Sequence, residues 1–159
     1  MASVTVINEE SFDGQPAWRM TGPDGSAALI AARGATLLSW EPVSGAEIID
    51  GYRDAEELRA QDGTRSLIMA PWFGRIAGGS YSFDGQHVSA EGDPDLLGHG
   101  GKTGSLDFVR EPAGDALLLQ ATLVPSSGYP WQLEISVVFS LESGASGLEH
   151  LSVSITVSN

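Results

Sequence analysis

Apolar and polar residues alternate along most of this chain with a period of two. The clearest stretch is Trp131-Gln-Leu-Glu-Ile-Ser-Val-Val-Phe-Ser-Leu141. It sets Trp131, Leu133, Ile135, Val137, Phe139 and Leu141 on one face and Gln132, Glu134, Ser136 and Ser140 on the other. That is the period of a strand with one face buried. The closing segment repeats the rule, with Leu151, Val153, Ile155 and Val157 expected inward and Ser152, Ser154, Thr156 and Ser158 outward. Residues 116–124 are apolar on both faces, which suits a strand in the middle of a sheet. By the same pattern Trp40 and Trp131 fall in phase with core positions.

The punctuation between these runs is equally informative. Segments from Ala27 to Ala32 and from Ala35 to Trp40 flank Arg33-Gly34, a hairpin turn. Tyr81 and Phe83 precede Asp84-Gly85, a pair favoured where both central turn residues take positive φ. Asp13-Gly14 and Asp24-Gly25 offer similar turns. One short helix is expected, capped by Asp54 with Glu57 as capping-box partner and running to about Gln61. It reads as a connector outside the core. Residues 92–104 are glycine-rich with few apolar anchors, the pattern of a long functional or mobile loop. With no repeat or linker, residues 1–159 read as one unit. The expected fold is all-β, an antiparallel β-sandwich of about ten short strands with at most one or two short helices.

Composition narrows the function. The net charge is -13, from 21 acidic and 8 basic residues, so the chain lacks the basic density that displaces counterions from nucleic acid. Adhesion to an anionic membrane surface is disfavoured for the same reason. There is no cysteine, which removes disulfides, thiolate chemistry and Cys-ligated zinc. No signal peptide is visible, and no apolar run approaches the roughly 20 residues of a membrane span, so the cytoplasm is the expected location.

The densest candidate chemistry lies between Ile68 and Gln86. Arg75 stands among apolar neighbours and glycines, followed by a hairpin. A guanidinium there can aim five donors into a cleft of sugar hydroxyls, or it can pair with a surface carboxylate. His99, flanked by Gly98, Gly100 and Gly101, either exchanges protons with a ligand hydroxyl or sits idle in a loop. Trp72 is the tryptophan best placed for a ligand, three residues before Arg75. Carboxylates are plentiful, but no pair is assignable to acid–base work from spacing. Gly100-Gly-Lys-Thr103 imitates the end of a phosphate-binding loop, yet the first glycine of that motif would fall at Leu96. His87, His99 and His150 lack metal-ligand spacing, so no metal site is expected.

At Pro71-Trp-Phe-Gly-Arg-Ile-Ala-Gly-Gly-Ser-Tyr-Ser-Phe-Asp-Gly85 the sequence resembles the aldose 1-epimerase (galactose mutarotase) family. Gly34-Ala-Thr-Leu-Leu-Ser-Trp40, Glu47-Ile-Ile-Asp-Gly-Tyr52, His99-Gly-Gly101, Gly128-Tyr-Pro-Trp-Gln-Leu-Glu-Ile-Ser136 and the closing strand to Asn159 agree in order. The resemblance implies a galactose mutarotase-like supersandwich, here incomplete, and an isomerase with no cofactor or metal. Its substrate would be a free hexose such as galactose or glucose, whose α and β anomers interconvert by ring opening. By motif, Arg75 matches the family's sugar-holding arginine and His99 its earlier, substrate-contacting histidine. Gly74 replaces the asparagine that many members place before the arginine. The family's catalytic histidine and glutamate have no counterpart; Glu149 and His150 are not in the matching context, and no catalytic residue is assignable. Activity is therefore expected to need sequence beyond Asn159 or a second chain, and an oligomer or a missing second half is expected. The rival readings are a non-catalytic carbohydrate-binding module and a truncated product without function.

Overall fold

The computed structural model describes residues 4–91, 98–143 and 149–159. Among the described residues ten strands follow one another, with one short α-helix after the fourth. β1 (Val6–Phe12), β2 (Gln15–Thr21), β3 (Ala27–Ala31) and β4 (Leu37–Glu41) form an antiparallel meander in that order. β7 (Val109–Glu111), β8 (Leu117–Leu123), β9 (Leu133–Ser143) and β10 (Glu149–Ser158) form a second antiparallel sheet, with β10 on its edge. β5 (Ser80–Phe83) and β6 (Gln86–Ser89) make a separate hairpin. Among the described residues no helix is long and apolar enough to cross a membrane.

The two larger sheets share one core, as a sandwich requires. Trp18, Met20, Ala28 and Ile30 from the first meet Leu117, Leu119, Leu133, Ile135, Val137 and Phe139 from the second. On β9 the residues between them, Glu134, Ser136, Val138 and Ser140, are exposed or half-buried, so the alternation in the sequence maps directly onto the sheet. β8 is an inner strand, between β7 and β9.

The hairpin turns form as their residues dictate. Asp13 and Gly14 take φ of 46° and 78°, and Asp84 and Gly85 take 48° and 74°, so both central residues of each turn are left-handed. After Asp24 only Gly25 is left-handed, and the Asp24 carboxylate accepts from the Ser26 amide instead. The turn between β3 and β4 is longer than Arg33-Gly34 alone. Ala35 also has positive φ, and β4 begins only at Leu37. This turn docks on the second half of the chain: the Gly34 amide donates to Leu106 O and the Phe108 amide to Ala32 O. A Cβ on Gly34 would stand 2.9 Å from Gly104 O, so the close approach requires glycine.

The helix is short and well capped, but it is not the bare connector that its sequence implies. In α1 (Ala55–Ala60) the Asp54 carboxylate accepts from the Glu57 amide at 2.8 Å, and Gln61 closes the last turn in a left-handed conformation. Leu58 is only 1% exposed. With Tyr52 it covers Ala17, Leu29, Ala31 and Leu38 on the outer face of the first sheet, forming a second core. Glu57 is buried beside it and accepts from the Arg53 amide at 2.7 Å, while the Arg53 and Arg65 guanidinium groups each approach it to 3.3 Å. The Arg53 amide, then its guanidinium, hold the Glu57 carboxyl below its ordinary range.

The end of the chain departs from expectation. Val153, Ile155 and Val157 pair with Phe139, Val137 and Ile135, so they do lie on the core side of the sheet. They are nevertheless 43%, 48% and 42% exposed, on the strand at the edge of the second sheet. Trp40 packs partly against the sandwich core, as its phase implies.

Candidate functional site

Three separate segments line an open cavity of about 580 Å³. Its size falls within the range of about 300–1,000 Å³ usual for small-molecule sites. The first segment is the irregular stretch Pro71–Ile76, which follows Ile68 and Ala70 out of the core and begins with a cis Ala70–Pro71 bond. The second is the β5–β6 hairpin. Its period of two places Tyr81 and Phe83 on one face, while Val88, paired with Tyr81, is buried. The third is the loop before β9, where Ser126 and Tyr129 exchange backbone hydrogen bonds and present Tyr129 and Trp131. Asn159, at the end of β10, adds a fourth contribution.

Aromatic rings build the walls. Trp72 lies 5.8 Å from Tyr129, Tyr129 lies 5.2 Å from Trp131, and Trp131 lies 5.2 Å from Phe83 in an edge-to-face arrangement. The Tyr81 hydroxyl donates to Gly128 O at 3.0 Å and so ties the hairpin to the loop. Burial, with Tyr129 as a neighbour, pushes the Tyr81 phenol above its ordinary range, and burial does the same for Tyr129. Both therefore remain protonated donors near neutral pH.

Arg75 lines this cavity and makes no hydrogen bond or ion pair among the described residues. The surface ion pair that its sequence context left open is not formed there. Among the described lining residues no side chain is a carboxylate or an imidazole, so Arg75 is the one charged side chain there. An unpaired guanidinium among aromatic rings offers donors to oxygen-bearing ligands and apolar surface to their C–H groups.

The structure brings Trp72 and Arg75 together in the lining and places His99 beside it, outside the lining residues. The Trp72 indole Nε1 donates to Gly98 O at 3.0 Å, and His99 Nδ1 lies 3.1 Å from Phe73 O. A carbonyl can only accept, so Nδ1 carries the proton in that bond and Nε2 keeps its lone pair while the ring is neutral. The described part of the glycine-rich stretch is packed, unlike the loose loop its composition implies. Residues 92–97 lie outside the described residues, whereas Gly100, Gly101, Thr103 and Gly104 are buried. The Thr103 hydroxyl donates to Ala70 O, and a Cβ on Gly100 would stand 2.7 Å from Met69 Cα. His99 is thus fixed to the segment that carries Arg75. His87 and His150 are exposed, on β6 and β10.

Trp131 corrects the sequence reading. Its phase with Leu133 predicts a core residue, but it precedes β9 and lines the cavity among Tyr81, Phe83 and Tyr129 instead. Tyr81, Phe83 and Tyr129 were not singled out as site residues. The aromatic spacing after Arg75 and the Gly128-Tyr-Pro-Trp131 motif were the available signals.

Comparison with known proteins is consistent in its direction. A galactose 1-epimerase from Lactobacillus acidophilus NCFM superposes with a TM-score of 0.66 at 19% identity, over 87% of this chain and 44% of that one. An aldose epimerase homologue from C. elegans gives 0.63 at 16% identity, over 86% and 42%. A putative aldose 1-epimerase from Escherichia coli K12 gives 0.64 at 14% identity, over 98% and 46%. The chain thus spans somewhat under half the length of each of these structures, and at such identities the likeness establishes the fold. No curated protein sequence matches. The family model for aldose 1-epimerase matches residues 16–159, nearly the whole chain, and on that match this protein belongs to the aldose 1-epimerase family.

Proposed function

We propose that this chain carries the sugar-holding part of an aldose 1-epimerase site, with a hexose such as galactose or glucose as ligand. The observation that carries the reading is Arg75, unpaired among the described residues and lining an aromatic cavity in a chain of this family. Arg75 donates to ring or hydroxyl oxygens and Trp72 forms an apolar wall, while His99, beside the lining, reaches a sugar hydroxyl through Nε2 only if the ligand extends past Phe73.

Interconverting anomers needs a base to take the proton of the anomeric hydroxyl and an acid to protonate the ring oxygen. The C1–O5 bond then breaks, the carbonyl carbon turns about its bond to C2, and the ring recloses on the other face. Among the described lining residues no carboxylate side chain or imidazole is present to take the anomeric proton. The acid and base are therefore assigned to polypeptide other than these 159 residues, either further sequence or a second chain. The exposed apolar stripe of β10 is the edge at which such a segment adds.

Polarimetry of freshly dissolved α-D-glucose and α-D-galactose tests this. The expected result is no acceleration by the 159-residue chain, with saturable sugar binding that Arg75→Ala abolishes. Acceleration that Arg75→Ala removes would place the acid and base within this chain or its oligomer. A second reading, a carbohydrate-binding module without turnover, is favoured by the same lack of acid and base in the cavity. It is distinguished if binding persists but no added family segment restores mutarotation.

A further inference from the structure

Resting on that sugar-site reading, we propose that Trp131 is the platform on which the pyranose ring stacks, and that it makes the site selective for cyclic sugars over open-chain polyols. Two tryptophans line the cavity, and their surroundings differ. Trp72 is engaged: its Nε1 donates to Gly98 O and its ring packs on Tyr129. Its visible task is to hold the His99 segment against the site. Trp131 makes no such bond among the described residues, so its Nε1 remains a donor, and the side chain is only half-buried.

Trp131 is also the better braced of the two. Phe83 meets it at 5.2 Å with an interplanar angle of 82°, Tyr129 at 5.2 Å with 72°, and Tyr81 at 6.4 Å with 40°. Three rings from two chain segments hold the indole in one orientation before any ligand arrives. A preorganised flat surface loses little freedom on binding, which is what stacking requires. A pyranose offers a matching surface, because its ring C–H bonds gather into an apolar face while its hydroxyls project around the rim. With that face on Trp131, rim oxygens are available to Arg75 in the same cavity. A linear polyol of the same length has the hydroxyls but no fixed apolar face, so it satisfies Arg75 without gaining from the indole.

The test compares D-galactose with galactitol and D-glucose with sorbitol by calorimetric or NMR titration of the 159-residue chain. Wild-type protein is expected to bind each sugar at least about tenfold more tightly than its polyol. Trp131→Ala should bring that ratio close to one, Trp131→Phe should retain most of it, and Trp131→Leu, which keeps apolar bulk without a flat ring, should not. Saturation transferred from indole protons should reach the ring C–H protons of the sugar. A Trp131→Ala or Trp131→Leu protein that binds sugar with the ratio unchanged overturns the platform and leaves the sugar site standing. Wild-type protein that binds neither sugars nor polyols overturns both.

Discussion

The two four-stranded sheets use the same hairpin topology but bury different fractions of themselves. In the β1–β4 sheet both faces of β2 and β3 are covered, one by the opposing sheet and the other by Tyr52 and Leu58. In the β7–β10 sheet the outer face is left to water, and polar side chains join across it. Gln120 Nε2 donates to Ser136 Oγ at 3.0 Å, and the Thr122 hydroxyl donates to the Glu134 carboxylate at 2.9 Å. A sheet buried on both sides must be apolar on both, which explains the run Ala27-Ala-Leu-Ile-Ala-Ala32. The contrast shows that six residues of well-capped helix can turn a strand's outer face into core.

Substitutions can break or sharpen this contrast. The largest effect is expected from Phe139→Ala, which empties the shared core and should cost about 3–5 kcal/mol in urea unfolding. Leu58→Ala should cost about 2–5 kcal/mol if the outer face of the first sheet is a true second core. A loss within about 0.5 kcal/mol would return α1 to the status of a surface connector. Asp54→Ala, which removes the helix cap, should cost about 1 kcal/mol. Acid should act on the same corner. Glu57 has a lowered folded-state pKa, so its contribution is fully present above the ordinary carboxylate value and fades as pH falls through the lowered one. The urea midpoint should drop over that acidic range, and Glu57→Gln should remove this part of the drop. Least of all, Gln120→Ala on the wet face of the second sheet should stay within about 0.5 kcal/mol.

What could be read from the sequence was local. Asp13-Gly14 and Asp84-Gly85 specify their turns through the φ they tolerate, and Asp54 with Glu57 specifies a helix start; none needs a distant partner. The alternation of β9 reports its two faces because one is wet and one is dry. Residues whose surroundings come from far along the chain were misjudged. The phase of Trp131 is correct, but the β5–β6 hairpin, some fifty residues earlier in sequence, decides that it lines a cavity instead of a core. Val153, Ile155 and Val157 likewise carry the core-side pattern, while their exposure depends on what packs against that edge strand. Arg75 was legible because its glycine-bounded, apolar context is itself local. Its lack of a partner was not, since any of the acidic residues might have folded against it.

The outer strand of the second sheet has a practical consequence for anyone handling the protein. β1, at the far edge of the first sheet, carries Glu9 and Glu10, whereas residues 151–158 of β10 contain no charge and no proline. A stretch of alternating serine, threonine and β-branched residues with an open edge is a template on which other chains can stack into fibres. The net charge of -13 repels neighbouring molecules in dilute buffer, but salt shortens the reach of that repulsion and leaves the template intact. Storage life should therefore worsen as salt is raised. A single lysine at Ser154, on the hydroxyl-bearing face, would act as a gatekeeper there without touching the interior.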